Sequence, residues 1–421
     1  MTNAVLPRRI GLIGSAALAF NGAVAASIFA LPAALANDFG NFSPWLFPIV
    51  GFAALLIIIP FTWSAAAFHD SGGPAIYGRV FGRLAGFELG WIYYVARATA
   101  FAANANVLTA YLARWIPGAD HGPLRIALLL ATTALFAAIN IAGVRKAIGL
   151  LASLAVLKSV PLFVAAIAAI ALTFPWPAAE PVPTMTQFEA GLLIVFYAFV
   201  GFENAVIPAG ETKNPSSVLP RAILMTIGVT TLLYFLVQLA FVSALPGGAS
   251  DEKAPLIDLG AWLAGSSGAA LLTLTAIASL SGSLHGIMTS APRVSHALAV
   301  LGDLPRWFAR VHSRFETPAN SILFFALASA ALAVTGSFVW LAVVSTLARM
   351  IVYVVTIAAL PRAPGERRLG LQHWLISGLG ILVCVWAAAQ ADVRAWLTLG
   401  ALSVVGLLLY GVAARPRSAA R

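Results

Sequence analysis

Apolar residues in this chain form long runs that are separated by short polar loops. A helix needs about 20 mostly apolar residues to cross the hydrocarbon core of a bilayer. The runs predict an all-α membrane protein of about twelve transmembrane helices, at residues 10–36, 44–68, 84–114, 123–142, 147–174, 187–211, 218–245, 258–299, 319–335, 338–360, 370–390 and 393–414. The eighth run is too long for one span, so we expect that helix to continue beyond the membrane on the cytoplasmic side.

The composition supports a membrane protein, since 61% of the residues are apolar and only 10% are charged. Soluble domains carry about a quarter charged residues. The net charge is +10, but the basic residues lie in short loops, so we expect a lipid bilayer and no nucleic acid as partner. Cys384 is the single cysteine, which excludes an internal disulfide and a cysteine-cluster metal site. No metal and no cofactor are expected.

Lysine and arginine residues predict the orientation of the helices. With the N-terminus inside, cytoplasmic segments hold 18 of the 25 basic residues. Outer segments hold only four, which are Arg114, Arg125, Lys253 and Arg394. Because cytoplasmic loops are enriched in basic residues, we expect both termini in the cytoplasm of a multi-pass protein in the cell inner membrane.

The N-terminal run could also be a cleaved signal peptide, since Arg8-Arg9 precedes it. The apolar run of a signal peptide has about 7–15 residues. The run at 10–36 is longer, which favours an uncleaved first helix.

Predicted helices 1 and 6 both contain weak helix formers at mid-span and a proline beyond them. Helix 1 has Asn21-Gly22 and then Pro32, and helix 6 has Gly201 and then Pro208. Irregular backbone at membrane depth is tolerated where it lines a cavity or is buried in protein. Paired breaks at corresponding positions indicate an inverted repeat with a transport site between them. The spacing predicts a five-plus-five inverted repeat, at 1–174 and 187–360, followed by two extra C-terminal helices at 370–414.

Three motifs occur in order at matching helix positions. After helix 2 the chain reads SGGPAIY at 71–77, followed by Phe81-Gly82, Gly86-Phe87 and Gly90-Trp91. Helix 6 and its exit read GFE at 201–203, GETKNP at 210–215 and LPR at 219–221. The loop after helix 8 contains Pro292-Arg293, Gly302-Asp303-Leu304-Pro305 and Thr317-Pro318.

These motifs resemble those of the amino acid–polyamine–organocation superfamily over nearly the whole chain. The resemblance implies a secondary active transporter, not an enzyme, that moves amino acids or related amines by alternating access. It places the substrate between the two breaks, at Ala23, Ala25, Ala26, Ser27, Ile28, Phe199, Val200, Gly201 and Glu203. It also implies that Tyr197 is an outer gate.

The chain departs from its relatives at the helix 1 break, where they carry Gly-Ser-Gly and this sequence has Ala25-Ala26-Ser27. Backbone N–H groups at the start of a half-helix attract anions whatever the side chain. Alanine leaves less room than glycine for the close approach of a carboxylate.

Lys158 lies 11 residues into predicted helix 5, about 17 Å along it. That is near the middle of a hydrocarbon core about 30 Å thick. A lysine in apolar surroundings gives up its proton more readily than one in water. Some proton-coupled members of the resembling family carry a helix 5 lysine where sodium-coupled relatives bind an ion. Lys158 is therefore a candidate for proton coupling, and the alternative is a permanently charged lysine paired with Glu203.

Other polar residues at membrane depth have open roles. Glu203 accepts hydrogen bonds from exposed backbone or contacts a substrate ammonium. Arg97 pairs with Glu88 or Glu203, or binds an anionic group, and Arg349 has no assigned role. His285 is better explained as a residue whose hydrogen bonds are satisfied within the helix bundle than as a proton relay. We expect interhelical hydrogen bonds from three asparagines, at Asn104, Asn106 and Asn140.

Three other classes of protein compete with this interpretation. A transporter of the major facilitator type would have its long loop after helix 6, but here the basic loop follows helix 8. A membrane enzyme needs clustered His, Asp or Cys at depth, where only His285 occurs. A nutrient sensor on the same fold, or an amino acid exchanger or exporter without proton coupling, stays open.

Overall fold

The computed structural model describes residues 10–68, 73–143, 148–206, 212–249, 251–363 and 369–418. The helices are α1 (Leu12–Ala23), α2 (Ala26–Phe39), α3 (Leu46–Ala67), α4 (Pro74–Gly78), α5 (Arg83–Leu112), α6 (Gly122–Ala142), α7 (Ile148–Leu172), α8 (Met185–Tyr197), α9 (Pro215–Ala244), α10 (Leu256–Val300), α11 (Ala319–Thr335), α12 (Phe338–Ala358), α13 (Leu371–Ala389) and α14 (Val393–Ser418). Short 3₁₀ turns connect some of them, including Phe202–Ala205.

The helices confirm an all-α membrane protein of roughly twelve segments. Within the described ranges, nine helical stretches are long and apolar enough to cross a membrane. The helices α1 and α11 are shorter and apolar. Helix α5 has 30 residues and includes the charged Glu88 and Arg97. Predicted helix 1 corresponds to α1 and α2 together, and predicted helix 6 begins with α8.

Predicted helix 1 breaks between α1 and α2, as the sequence indicated. Val24 and Ala25 leave the helical region, with φ/ψ of −88°/91° and −136°/−129°. Pro32 lies inside α2, where it removes one intrahelical hydrogen bond. The Pro32 carbonyl accepts a bond of 3.0 Å from the Gln238 side chain of α9. The break separates two half-helices and leaves their terminal backbone groups without intrahelical partners.

Predicted helix 6 breaks after Tyr197, where α8 ends. Gly201 has φ of 103°, a backbone conformation that favours glycine. The 3₁₀ turn Phe202–Ala205 follows it. The motif residues Pro208, Gly210 and Glu211 lie outside the described residues.

The predicted eighth helix, at 258–299, corresponds to α10, and its continuation beyond the membrane stays a prediction. Helix α10 is bent near its start, where Ala264 and Gly265 have non-helical backbone angles. Gly265 has a positive φ of 57°, which an L side chain adopts at a cost. The long segment is therefore a short helix joined to the spanning one.

Helix α5 lies at the centre of the bundle and packs against α10, α12, α4 and α11. The two last helices are added to its outside. Helix α13 packs on α12 and α3, and α14 packs on α5. Glycines permit these close approaches, since Gly380 lies over the Leu56 carbonyl and Gly406 lies against the Trp91 ring.

Two ionic clusters tie loops together at opposite ends of α5. Near its first residue, the buried carboxylate of Asp303 accepts bonds of 2.6 Å from both Arg79 and Arg83. Beyond its last residue, Asp120 pairs with Lys253 at 2.8 Å. The first cluster joins the loop after α10 to the turn before α5, so two of the three sequence motifs meet there.

Candidate functional site

The two helix breaks lie directly against each other. A Cβ atom built on Gly22 would lie 2.1 Å from the Gly201 carbonyl oxygen. One built on Gly201 would lie 2.3 Å from the Gly22 carbonyl oxygen. Since real Cβ atoms do not approach this closely, only glycine at both positions allows the contact. The structure thereby joins the two segments that the sequence predicted to form the substrate site.

The start of α2 is surrounded by polar side chains from α5 and α9. The backbone N–H of Ala26 donates to Asn104 Oδ1 at 3.2 Å. Ser27 Oγ and the Tyr234 hydroxyl are 2.5 Å apart, and Tyr234 also donates to the Ala23 carbonyl at 3.3 Å. All five residues are buried. An N-terminal helix end with small side chains and hydroxyl groups is chemically suited to a carboxylate.

Lys158 lies on α7 and reaches the end of α1. Its Nζ donates to the Val24 carbonyl at 2.6 Å and to the Asn21 carbonyl at 3.5 Å. It also lies 5.5 Å from the centre of the Phe20 ring. The side chain is only 2% exposed. Carbonyl groups at a helix C-terminus carry partial negative charge, so this position favours a cation.

The alternative pairing of Lys158 with Glu203 is wrong, because Glu203 pairs with Arg349. Arg349 Nε lies 2.8 Å from Glu203 Oε1, and both side chains are almost fully buried. The Tyr353 hydroxyl donates to Glu203 Oε2 at 3.1 Å. The same oxygen accepts from the Gly201 N–H at 2.8 Å. Glu203 therefore accepts a hydrogen bond from the exposed backbone of the break, as one of its two predicted roles required.

Further N–H groups of the Arg349 guanidinium also have hydrogen-bond acceptors. Its guanidinium donates to the Ala96 and Ser345 carbonyls at 3.3 and 3.2 Å and to the Ser345 hydroxyl. These contacts join the helix 6 break to α5 and α12. A buried ion pair costs desolvation unless further hydrogen bonds satisfy it, and here they do.

The predicted pairing of Arg97 with Glu88 or Glu203 is also wrong. Arg97 donates to the Asn204 side chain at 2.7 Å and to Ser290 at 2.9 Å. Glu88 instead has one buried carboxylate oxygen without a hydrogen-bond partner in the described part of the chain. The direction of Arg97 is set by the helix 6 break and by α10, which sequence spacing could not show.

The remaining predicted substrate residues do not all face the same space. Phe199 and Val200 line a small apolar cavity with residues of α3 and α12. Ala25 and Ile28 are buried at the start of α2. The structure thus places Gly201 against Gly22 and Ala23, and Tyr234 joins Ala23 to Ser27. The Phe199 and Val200 side chains point towards other helices.

A cavity of about 540 Å³ lies beyond α2 on the side of the Asp120–Lys253 pair. Ala30, Arg125 and Phe338 are among its lining residues. The Phe338 ring packs edge to face on Tyr197, with ring centres 5.9 Å apart. The predicted gate residue Tyr197 is therefore buried and contacts a residue that lines this cavity.

Three polar partners in the site were not predicted as such. Tyr234, Tyr353 and Asn204 contact Ser27, Glu203 and Arg97 respectively. Tyr234 and Tyr353 are polar groups within apolar segments, and Asn204 directly follows Glu203. The sequence carries no other signal of these contacts. The three predicted asparagines do form interhelical bonds, to Ala26, Ala333 and Thr289.

His285 belongs to the helix bundle. It lies 3.4 Å from the Asn140 side chain and against the Phe136 ring. Within the described residues, no cluster of three or more His, Cys, Asp or Glu side chains could hold a metal ion.

The fold and the site define a multi-pass membrane transporter with two discontinuous helices. The family model described as amino acid permease matches residues 10–404, and the chain belongs to this family. The family consists of transporters, not enzymes.

The chain is similar along its length to two bacterial transporters. An uncharacterized transporter of Mycobacterium tuberculosis (strain ATCC 25618 / H37Rv) is 28% identical over 97% of this chain and 91% of its own length. The branched-chain amino acid permease of Lactococcus lactis subsp. cremoris is 27% identical over 94% and 92%. A D-serine/D-alanine/glycine transporter of Escherichia coli O6:H1 is 26% identical over 58% of this chain and 54% of its own.

Proposed function

We propose that this chain is a proton-coupled secondary transporter of neutral amino acids in the cell inner membrane. The observation that carries the proposal is the contact of Lys158 with Val24. A buried lysine on α7 donates directly to the carbonyl end of the broken first helix. A proton on this nitrogen and the conformation of the break are therefore linked.

The substrate binds between the two breaks, with its carboxylate at the start of α2. The first turn of α2 supplies backbone N–H groups there, of which the Ala26 N–H donates to Asn104 in this structure, and Ser27 and Tyr234 supply hydroxyl groups. We infer an amino acid as substrate because the family model is described as amino acid permease and a relative matched over 94% of this chain is named as a branched-chain amino acid permease.

Neutral side chains are favoured over cationic ones for an electrostatic reason. Glu203 is the acidic residue at the breaks, and Arg349 and Tyr353 already occupy its oxygens. A cationic amino acid or a simple amine would meet no free carboxylate among the described residues of the breaks. Such a substrate would lose its hydration without gaining an ion pair.

Alternating access follows from the two states of Lys158. When charged, its ammonium holds α1 against α7 through the Val24 carbonyl. When neutral, it loses most of this attraction, and the half-helices are free to move relative to α7. Protonation thus biases one conformation over the other.

The chain is organised as two inverted repeats, at 1–174 and 187–360, with both termini in the cytoplasm. The breaks lie at corresponding positions in the two repeats, which is typical of transporters with binding sites at mid-membrane. Residues 370–414 form two further helices. The cytoplasmic loops carry most basic residues, which supports the same orientation.

Uptake by purified protein in liposomes tests this proposal. A panel of labelled amino acids, which includes leucine, glycine, D-alanine and lysine, is measured with and without an inward proton gradient. We expect a neutral amino acid to accumulate only when the gradient is present. Exchange that ignores the gradient would favour an exchanger, and binding without any uptake would favour a sensor.

A further inference from the structure

The cavity beside the Asp120–Lys253 pair has the size and polarity of a small-molecule site. Its volume of about 540 Å³ falls within the range of about 300–1,000 Å³ that ligand pockets occupy. Its walls come from α2, α5, the start of α6, the loop before α10 and the start of α12. An amino acid that enters from this side meets these walls before it meets the breaks.

Arg125 is the basic residue of this cavity that is fixed in position. One guanidinium nitrogen donates to the Ala333 carbonyl at 3.1 Å, to the Gly336 carbonyl at 3.2 Å and to the Asn106 side chain. These acceptors are neutral. In the part of the chain that the structure describes, no carboxylate lies within ion-pair distance of Arg125.

The other charged side chains of the cavity already have partners. Lys253 pairs with Asp120 at 2.8 Å, and His121 lies 2.8 Å from the same carboxylate. Glu252 accepts a bond of 2.8 Å from Asn37. Arg125 and Glu252 are thus the charged side chains of this lining that form no ion pair within the described residues.

The position of Arg125 strengthens its attraction for an anion. It lies in the first turn of α6, which begins at Gly122 and has 21 residues. The N-terminal end of a helix carries partial positive charge. All three neutral acceptors bind the same guanidinium nitrogen, Nη2, and hold the group in place before any ligand arrives. The Nη1 and Nε groups donate to none of these acceptors, so each can donate a charge-assisted hydrogen bond to a carboxylate oxygen.

The cavity leads towards the proposed central site. Phe338 lines it and packs on Tyr197, and Ala30 of α2 lies about one helical turn beyond Ala26. The Tyr197–Phe338 aromatic pair therefore connects the wall of this cavity to the end of α8, where the second break begins.

We propose that Arg125 forms an outer binding site that takes the carboxylate of an incoming amino acid before the aromatic pair admits it. This inference rests on the proposed function for the identity of the ligand. The carboxylate contact itself depends only on the cavity and on the Arg125 guanidinium.

The test measures thermal stability of the purified full-length protein in detergent at constant ionic strength. Two probes each carry one of the two charged groups of leucine. 4-Methylpentanoate has the carboxylate without the amine, and isoamylamine has the amine without the carboxylate. We expect 4-methylpentanoate to raise the melting temperature of the wild type but not of Arg125→Gln. Arg114→Gln, which changes an outer arginine outside the cavity, should respond like the wild type. Equal stabilisation of Arg125→Gln and wild type, or no stabilisation of either, would overturn the proposal.

Arg125→Lys covers the case in which the glutamine variant does not fold. It keeps the charge but replaces the held guanidinium with a flexible ammonium, so its affinity for 4-methylpentanoate should fall about tenfold, as expected when a charged hydrogen bond is weakened. Unchanged affinity would overturn the proposal. In liposomes, Arg125→Gln should raise the KM for a transported amino acid and keep the maximal rate. If the wild type transports no amino acid, the proposed function fails, while carboxylate binding at Arg125 is still measurable.

Discussion

Gly22 and Gly201 touch through their backbones at the point where the two discontinuous helices meet. Each glycine occupies the space that a side chain on the other would need, with approaches of 2.1 and 2.3 Å for an added Cβ. Backbone atoms on both sides form the contact, so no flexible side chain can move aside. The two breaks can therefore lie this close only because each glycine has a hydrogen atom in place of a side chain.

Replacement of Gly22 by alanine should abolish transport or reduce it at least tenfold. The added methyl group would push the two breaks apart, and overpacking of this kind costs about 1–3 kcal/mol. That is small enough for the protein to fold but large enough to disturb a site between the breaks. Initial uptake rates in liposomes, normalised to monodisperse protein, measure the effect.

Gly228→Ala is the matched control. Gly228 lies within α9, and a Cβ atom there would have no neighbour within 4 Å. Its transport should equal that of the wild type. Wild-type transport by Gly22→Ala would show that the contact between the breaks is not required.

Glu203 and Arg349 should be coupled in stability. Glu203→Gln leaves the buried Arg349 charge without its partner, and loss of one member of a buried pair costs about 3–5 kcal/mol. Arg349→Met likewise leaves the buried carboxylate of Glu203 without its partner. The double variant removes both charges and should be more stable than either single variant. The melting temperatures of the wild type, the two single variants and the double variant in detergent form a double-mutant cycle. Strictly additive effects of the two substitutions would contradict a direct pair.

The positions of the helix breaks could be predicted from sequence because glycine and proline act locally. Asn21-Gly22 and Gly201 are weak helix formers within apolar runs, and an interrupted helix needs no knowledge of its neighbours. Burial of Lys158 was predictable for the same reason, since depth in a membrane follows from distance along a helix. The kink at Gly265 was missed because an apolar run across a bend looks like a continuous helix.

The ion-pair partners could not be predicted, because they depend on which helices are neighbours. Arg97 and Arg349 were equally available to Glu203 in the sequence. The packing of α12 on α5 places Arg349 beside Glu203, while Arg97 turns towards Asn204. Tyr234 was missed as a partner of Ser27 because 207 residues separate them.

The Asp120–Lys253 pair should not contribute to any pH dependence of transport near neutrality. The hydrogen bond from Lys253, and to a smaller extent the one with His121, lowers the pKa of the Asp120 carboxyl from 3.8 to about 2. Because this pKa is lowered by folding, the stabilising effect is complete above 3.8 and is lost as the pH falls towards 2. Exposed ion pairs contribute only about 0.2–1 kcal/mol.

Uptake by Asp120→Asn should therefore show the same dependence on pH as the wild type between about pH 5 and pH 8. His121→Gln is measured in parallel, since His121 contacts the same carboxylate as Lys253 and is also titratable. A shift of the uptake profile in Asp120→Asn alone would show that this carboxylate titrates during transport.

The loop after α10 should lie in the cytoplasm. Cys384 is the single cysteine and is buried, so a Cys384→Ala background leaves one introduced thiol for labelling. Arg310→Cys should react with a membrane-impermeant reagent only after cells are opened. Lys253→Cys, at the opposite end of the bundle, should react in intact cells. Labelling of position 310 from outside would refute the proposed orientation.

Lys158 should be required for proton-driven accumulation but not for substrate binding. Its ammonium contacts the Val24 carbonyl at 2.6 Å, at the end of α1, whereas the proposed carboxylate site lies at Ala26 and Ser27 at the start of α2. Lys158→Ala removes the titratable group and should lose accumulation driven by a pH gradient. Lys158→Arg should also lose it, because arginine keeps its proton and would hold α1 in one state.

The decisive comparison is between gradient-driven uptake and binding in the same preparations. Both variants should bind the transported amino acid within about tenfold of the wild type, which corresponds to about 1.4 kcal/mol. Lys213→Ala, which changes an exposed lysine, controls for the loss of a positive charge. Accumulation at the wild-type level by Lys158→Ala would end the coupling hypothesis. It would leave Lys158 as a structural residue that satisfies the carbonyl end of α1, in a transporter that works by exchange.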